Sequence, residues 1–215
     1  MENAGRALLK GAVGETLNSN EMPHKLTYNH PINIHPMKKL AISVLTIFLL
    51  QSCGTGEEEQ VVTVENKYSL SVPAFLAQAS DLNDDASLQY QHALQEFYVI
   101  VIDESKEEMQ KALEENNLTD IYPNNLNGYS NLILDTFKDD VNASDQSELI
   151  DTVINRMPAR ITSLKGEVDG VKVFYDMGFY EGDHNYYQVL AWTLSDREPK
   201  HRAKMDKILR SLQEL

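Results

Sequence analysis

Residues Glu96 to Asp103 read EFYVIVID. In an extended chain successive side chains point to opposite faces. Phe97, Val99 and Val101 therefore fall on one side, and Tyr98, Ile100 and Ile102 on the other. Both sides are apolar, which predicts a central strand covered on both faces. Such a strand needs partners on each edge and a layer above and below.

Working outward, the chain supplies these. Upstream, Ser87 to Leu94 alternates Leu88, Tyr90, His92 and Leu94, a second strand, and Lys67 to Val72 is a short strand stopped by Pro73. Pro73 to Asp85 reads as loop. Downstream, Glu104 to Asn116 is a charged helix packing Met109, Ala112 and Leu113. A second helix carries Leu126, Tyr129, Ile133 and Phe137 at helical spacing to about Val141. Asp145 to Asn155 is expected to add a short helix. Ala159 to Glu167 is a strand, Asp169-Gly170 a hairpin turn, and Val171 to Tyr180 the next strand, with Val171, Val173, Tyr175, Met177 and Phe179 on one face. Glu181 to His184 turns the chain into Tyr186 to Leu194. Ser195 and Glu198 are spaced as a capping box, and the last helix is expected to run to Leu215, burying Ala203, Ile208, Leu209, Leu212 and Leu215. Hairpins and helices alternate without regular βαβ units. The expected fold is α+β, a mainly antiparallel sheet of about six strands flanked by helices.

The N-terminal quarter has a different character. Met37 to Cys53 reads MKKLAISVLTIFLLQSC: two lysines, a short apolar core and a small residue before the cysteine, the layout of a secretory signal. Leu40 to Leu50 is too short for the roughly 20 apolar residues a transmembrane helix needs. The stretch resembles a bacterial lipoprotein signal, whose lipobox ends in the cysteine that receives the lipid; Leu50, Ser52 and Cys53 fit and Gln51 departs from it. The resemblance implies lipidation of Cys53, attachment to a membrane through that lipid, and residence in the bacterial cell envelope. The acidic run after Cys53 resembles the export signal that puts some Bacteroidetes lipoproteins on the cell surface; it reads equally as a solvated tether. Residues 1–36 are expected to be an over-called start, 37–52 the signal, 53–66 an acidic tether and 67–215 one globular domain.

Composition narrows the partners. Of the 19 Lys and Arg and 33 Asp and Glu, five and three precede residue 54, leaving 14 and 30 and a net charge of −16. Phosphates repel such a chain, so nucleic acid is excluded as a partner and direct docking on anionic lipid is disfavoured. Cys53 is the single cysteine, so neither a disulfide nor a thiolate zinc site supports the fold.

Candidate chemistry is sparse. His92, His184 and His201 are the histidines after Cys53, with no serine or cysteine nucleophile motif beside them. Glu181, Asp183 and His184 share a turn that could bind a metal or simply be solvated. Asp81, Asn83, Asp84 and Asp85 hold part of a calcium-loop pattern without its glycine and terminal glutamate, and Asp139, Asp140 and Asp145 read the same way. No catalytic, cofactor or metal residue is assigned. Aromatics crowd the closing hairpin: Phe174, Tyr175, Phe179, Tyr180, Tyr186, Tyr187 and Trp192. Most belong to a core, and an uncovered face would be a binding surface. Lys200, Arg202, Lys204, Lys207 and Arg210 form the one basic cluster.

From about Tyr68 to Leu212 the order of elements resembles the PsbP-like, DcrB-like α/β/α sandwich family. The resemblance rests on YSLSVP, EFYVIVID before charged helices, and GVKVFYDMGFYEGDHNYYQVLAWTLS before an amphipathic helix. That family spans photosystem subunits, a nuclear-transport factor and envelope lipoproteins, and implies binding to a larger assembly. The functional expectation is a lipid-anchored, non-enzymatic envelope domain that binds a protein partner. The alternative is a small-ligand or metal-binding, enzyme-like domain.

Overall fold

The computed structural model describes residues 58–215; the expected early start, signal and Cys53 lie outside them. Two sheets form. The larger has the order β3-β4-β5-β10-β9-β8-β6, with β7 also on β8: β3 Ala77–Gln78, β4 Leu88–His92, β5 Phe97–Ser105, β6 Asp145–Gln146, β7 Ile150–Ile154, β8 Met157–Val168, β9 Val171–Glu181 and β10 Asn185–Leu194. The smaller is β1-β2-β11, from β1 Glu59–Val64, β2 Tyr68–Pro73 and β11 Gln213–Glu214. Every pairing is antiparallel. The fold is therefore α+β, as expected.

The centre is β5 against β10, in register from Phe97↔Thr193 to Ser105↔Asn185. The two faces of β5 go to two separate cores. Tyr98, Ile100 and Ile102 meet α1 (Lys106–Glu115) and α2 (Leu126–Asp140) through Met109, Leu113, Tyr129, Ile133 and Phe137. Phe97, Val99 and Val101 meet α3 (Glu198–Leu209) and the small sheet through Met205, Ile208, Leu209, Tyr68 and Leu70. Each buried side chain of this kind contributes about 1.5–3 kcal/mol, so neither layer is dispensable. The closing hairpin divides the same way. Val173, Tyr175, Met177 and Phe179 face the helix pair, while Phe174 and Tyr180 face α3. The uncovered aromatic face that would have been a binding surface is not present.

Local chemistry fixes the helix starts. Ser105 caps α1, accepting from the backbone N–H of Glu107 and Glu108, whose carboxylates suit the positive end of the helix. Asn125 caps α2 through Gly128 N–H. A Cβ at residue 128 would run into the Pro123 carbonyl, so only glycine lets the helix close on that loop. Arg160 of β8 fastens α2 to the sheet: Nη1 donates to Asn127 Oδ1 (2.7 Å) and Ser130 Oγ (2.7 Å), and Nε pairs with Asp151 (2.7 Å).

Four expectations are corrected. Part of the supposed tether is β1, because Val62 and Val64 pack on the core while β2 satisfies the backbone. The supposed helix over 145–155 is β6 and β7. The β-branched run Ile150-Asp151-Thr152-Val153-Ile154 pairs with β8 across a two-residue turn, with φ of 49° at Asn155 and 74° at Arg156. Ser195 and Glu198 make no capping box. A 3-10 turn, Ser195–Arg197, leads into α3, and Glu198 pairs instead with Lys165 (2.8 Å) and Arg202 (2.9 Å). The last helix ends at Leu209, after which Gln213–Glu214 joins β2. Its buried side holds His201 and Met205, whereas Ala203 and Leu215 are exposed. Among the described residues no helix is long and apolar enough to cross a membrane.

Gly128→Ala is expected to destabilise the domain by about 1–3 kcal/mol, the range for overpacking, because the obstruction is backbone. Equilibrium urea unfolding checks this; an unchanged midpoint would mean the Pro123 loop yields freely.

Candidate functional site

The three histidines are not brought together. His92 ends β4, where Nδ1 accepts from Gln95 N–H (3.2 Å) and the ring meets Phe75 edge-on. His184 is exposed in the β9–β10 turn. His201 is fully buried on α3 against Phe97, with ring centroids 4.8 Å apart. Burial, then Lys200 and Lys204, push its pKa down, so the neutral ring is favoured, and no carboxylate is among its influences. Asp81, Asp84 and Asp85 are exposed on the β3–β4 loop, while the Asn83 side chain turns inward and accepts from Asp85 N–H (2.8 Å). Asp139, Asp140 and Asp145 are exposed around the end of α2. Among the described residues no three His, Cys, Asp or Glu side chains are grouped to hold a metal.

What the fold does bring together is a cleft of about 500 Å³ at one end of the sheets. Three chain segments line it: Asn155 to Pro158 of the β7–β8 turn, Glu181 and Asp183 of the β9–β10 turn, and Gln213 and Glu214 of β11. Glu214 locks the last two. Its Oε1 and Oε2 accept from Asp183 N–H (3.2 and 2.9 Å), and Oε1 also accepts from the Tyr187 hydroxyl (2.9 Å). A side chain at Gly182 would displace that carboxylate. Burial and then the bond to Glu214 push the Tyr187 phenol up, so it stays a donor. Asn155 Nδ2 donates to the carbonyls of Arg210 (3.3 Å) and Leu212 (2.7 Å), tying the first segment to the same C-terminal stretch. Glu181 pairs with Lys106 (3.0 Å). Arg156, Asp183 and the Asn155 and Gln213 amides thus present charges and hydrogen-bonding groups on a braced frame. Its lining is polar: three carboxylates, one guanidinium and two side-chain amides.

The basic cluster of α3 is largely engaged. Lys207 pairs with Glu59, Arg202 with Glu198, and Arg210 with Asp206 (2.9 Å). Lys200 Nζ donates to Gln95 Oε1 (3.1 Å). Sequence reasoning did not single out Arg156, Tyr187 or Glu214 as site residues. The Asn155-Arg156 turn lacks the glycine that signals one, and Glu214 meets Asp183 only through the fold.

A second polar group is buried beneath α2. Glu104 lies opposite Tyr186 in the β5–β10 register, one diagonal from Gln188. Tyr129 stacks on Tyr186 (4.7 Å between centroids) and meets Phe179, the other neighbour of Gln188, edge-on. Glu104 Oε2, the Tyr129 hydroxyl and Gln188 Nε2 make no hydrogen bond within the protein. Burial, then Glu108 and Asp85, lift the Glu104 carboxyl to about 7. On the opposite face burial lifts Asp176 to about 6, against the pull of Arg202.

Both carboxyls have folded pKa values above their unfolded ones. The associated stability is complete below about pH 4 and is lost as pH rises through 6 to 7. Glu104→Gln is expected to stabilise the domain at pH 8 by on the order of 1–2 kcal/mol and to change little at pH 4. Urea unfolding at the two pH values checks this; equal effects at both would refute the buried, protonated reading.

No family model matches the chain, and no curated protein matches it. Solved structures with a similar arrangement include the cyanobacterial PsbP, CyanoP, of Synechocystis, with 11% identity over 77% of this chain and 99% of that one and a TM-score of 0.49. They also include LpqN of Mycobacterium tuberculosis, involved in cell envelope biogenesis, with 10% identity over 73% and 90% and a TM-score of 0.46. A third is PA94 of Pseudomonas aeruginosa, a protein of unknown function, with 9% identity over 71% and 94% and a TM-score of 0.40. At these values the likenesses say nothing about what this chain binds.

Proposed function

We propose that the chain is a lipid-anchored protein of the bacterial cell envelope, held by Cys53, whose folded domain binds a protein partner at the cleft formed by Asn155 to Pro158, Glu181, Asp183, Gln213 and Glu214. The observation that carries this reading is the cleft itself: an open, polar recess braced by Glu214, on a body whose two sheet faces are both closed by packed cores. A binding role fits a lining of charges and amides in which the Glu181 carboxylate is engaged by Lys106 and that of Glu214 by Asp183 N–H and the Tyr187 hydroxyl. The signal-like stretch Met37 to Cys53 supports the anchor.

The test uses the full chain in its native envelope. Cys53→Ala is expected to release the protein from the membrane fraction. A benzophenone amino acid at Gln213 is expected to cross-link one discrete partner, identified by mass spectrometry, and the product is expected to weaken at least tenfold with Arg156→Glu, a loss of about 1.4 kcal/mol or more. A membrane-bound protein giving the same cross-links from Gln213 as from exposed Ile121, across the body, would reject the cleft as the binding site.

A further inference from the structure

Strand β7, Ile150–Ile154, lies at one margin of the large sheet. It pairs with β8 and, among the described residues, with no other strand. Hydrogen-bonded and non-hydrogen-bonded pairs alternate along an antiparallel ladder. Pro158 has no N–H, so Val153↔Pro158 is a non-hydrogen-bonded pair, and the bonds to β8 fall at Ile154, Thr152 and Ile150. The N–H and C=O groups of Asp151 and Val153 therefore point outward from the sheet edge.

Natural edge strands are commonly blunted by an unpaired charge or a proline. This one is not. Ile150, Thr152, Val153 and Ile154 are β-branched, and Ile150 and Val153 are 52% and 68% exposed. The one charge of the strand, Asp151, is taken up by Arg160 (2.7 Å).

The edge is also complementary to itself. Set two copies of IDTVI antiparallel about a two-fold axis at Thr152. Asp151 of each then lies opposite Val153 of the other, the same residues whose outward groups await partners, and each such pair can exchange two N–H···O bonds. Ile150 of each copy covers Ile154 of the other, Thr152 meets Thr152, and no like charges stand opposite one another within the ladder. The same register, carried past the strand ends, brings Glu148 of each copy to Arg156 of the other. Both are exposed, and among the described residues neither side chain has a partner.

We propose that a second copy of this chain adds its β7 antiparallel to the first, continuing the large sheet across a two-fold axis at Thr152. Local charge complementarity, Glu148 to Arg156 in both directions, selects this occupant. Net charge opposes it, since the chain beyond residue 53 carries −16. In physiological salt the reach of exposed charge is only about 8 Å, so the groups flanking the ladder decide. The ladder is short, and the dimer is correspondingly weak.

The experiment uses the full chain in its native cells, oxidised with copper phenanthroline. Thr152→Cys places a thiol on the axis, with Cβ atoms about 4.5 Å apart across the pair, close to disulfide geometry. Ile150→Cys places its thiols about 14 Å apart, four residues along the ladder. Thr152→Cys is expected to give at least about fivefold more disulfide-linked homodimer than Ile150→Cys. Wild type, with Cys53 as its cysteine, reports any dimer through that residue, so failure of the anchor reading is seen separately. In the Thr152→Cys background, Glu148→Arg or Arg156→Glu is expected to lower the dimer at least about threefold, and the two together to restore it. Dimer no more abundant at residue 152 than at residue 150 overturns the pairing. So do charge variants without effect, or a loss that the double variant does not restore.

Discussion

The burial of β5 on both faces is the constraint on which the rest depends. Nine residues of β5 pair with β10, and six consecutive side chains from Phe97 to Ile102 are withdrawn from water on alternate sides. A strand of this kind is stable only if the chain supplies two independent apolar layers. α1 and α2 provide one, through Met109, Leu113, Tyr129 and Phe137; α3 and the small sheet provide the other, through Met205, Ile208, Leu209 and Tyr68. The order of the chain follows. Elements for the α3 layer come from both termini of the described region, β1 and β2 before β5, α3 and β11 after β10, and β11 pairs with β2 in the small sheet. The same closure leaves the turns and edges, not the two faces of the large sheet, exposed.

How far this was legible depended on burial. The six strands that carry the cores stand out because their side chains alternate or run apolar throughout, as in EFYVIVID and VKVFYDMGFY. β1 and β7 did not, since half their side chains face water: Val61 beside Val62, Val153 beside Ile154. An edge strand of this kind has the composition of a linker or of a short helix, and ELIDTVINR satisfies a helical count as readily as a strand count. The turn after it gave no warning, because positive φ falls on Asn155 and Arg156 rather than on glycine. The buried side of α3 and the segment after it was read correctly at Ile208, Leu209 and Leu212 and wrongly at its first turns and at Leu215. Ala203 suggested the buried side of the first turns, but His201 and Met205 are the residues that pack there.

The candidate site was less legible than the fold, and for a different reason. Its residue types are ordinary. Glu214 is the penultimate residue, Tyr187 one of several hairpin aromatics, and Arg156 part of a turn. Their meaning comes from distances between segments 25 to 60 residues apart. The clusters that did stand out in sequence, Asp81 to Asp85 and the scattered histidines, stood out by composition, and the fold spreads them over a loop, a turn and a core. Glu104 shows the limit from the other side. It reads as the first acidic residue of a charged helix, whereas it lies in β5, and only its placement opposite Tyr186, with burial and nearby Glu108, makes its ionisation costly.

The cleft is nonetheless an extension of the core, which is why its geometry is fixed. Tyr187 packs its ring edge-on against Tyr68, 5.4 Å between centroids and both fully buried, and so couples the large sheet to the small one. Its hydroxyl leaves that core at the rim, where Glu214 receives it and turns to hold Asp183 N–H. β11 carries Glu214 only because β2 pairs with it, and β2 is seated by Tyr68. A single line of contacts thus runs from the packed ring of Tyr68, through Tyr187 and Glu214, to the lip of the recess. The proposed binding at that lip would need no separate ordering of its loops, because the burial that stabilises the sheet has already positioned them.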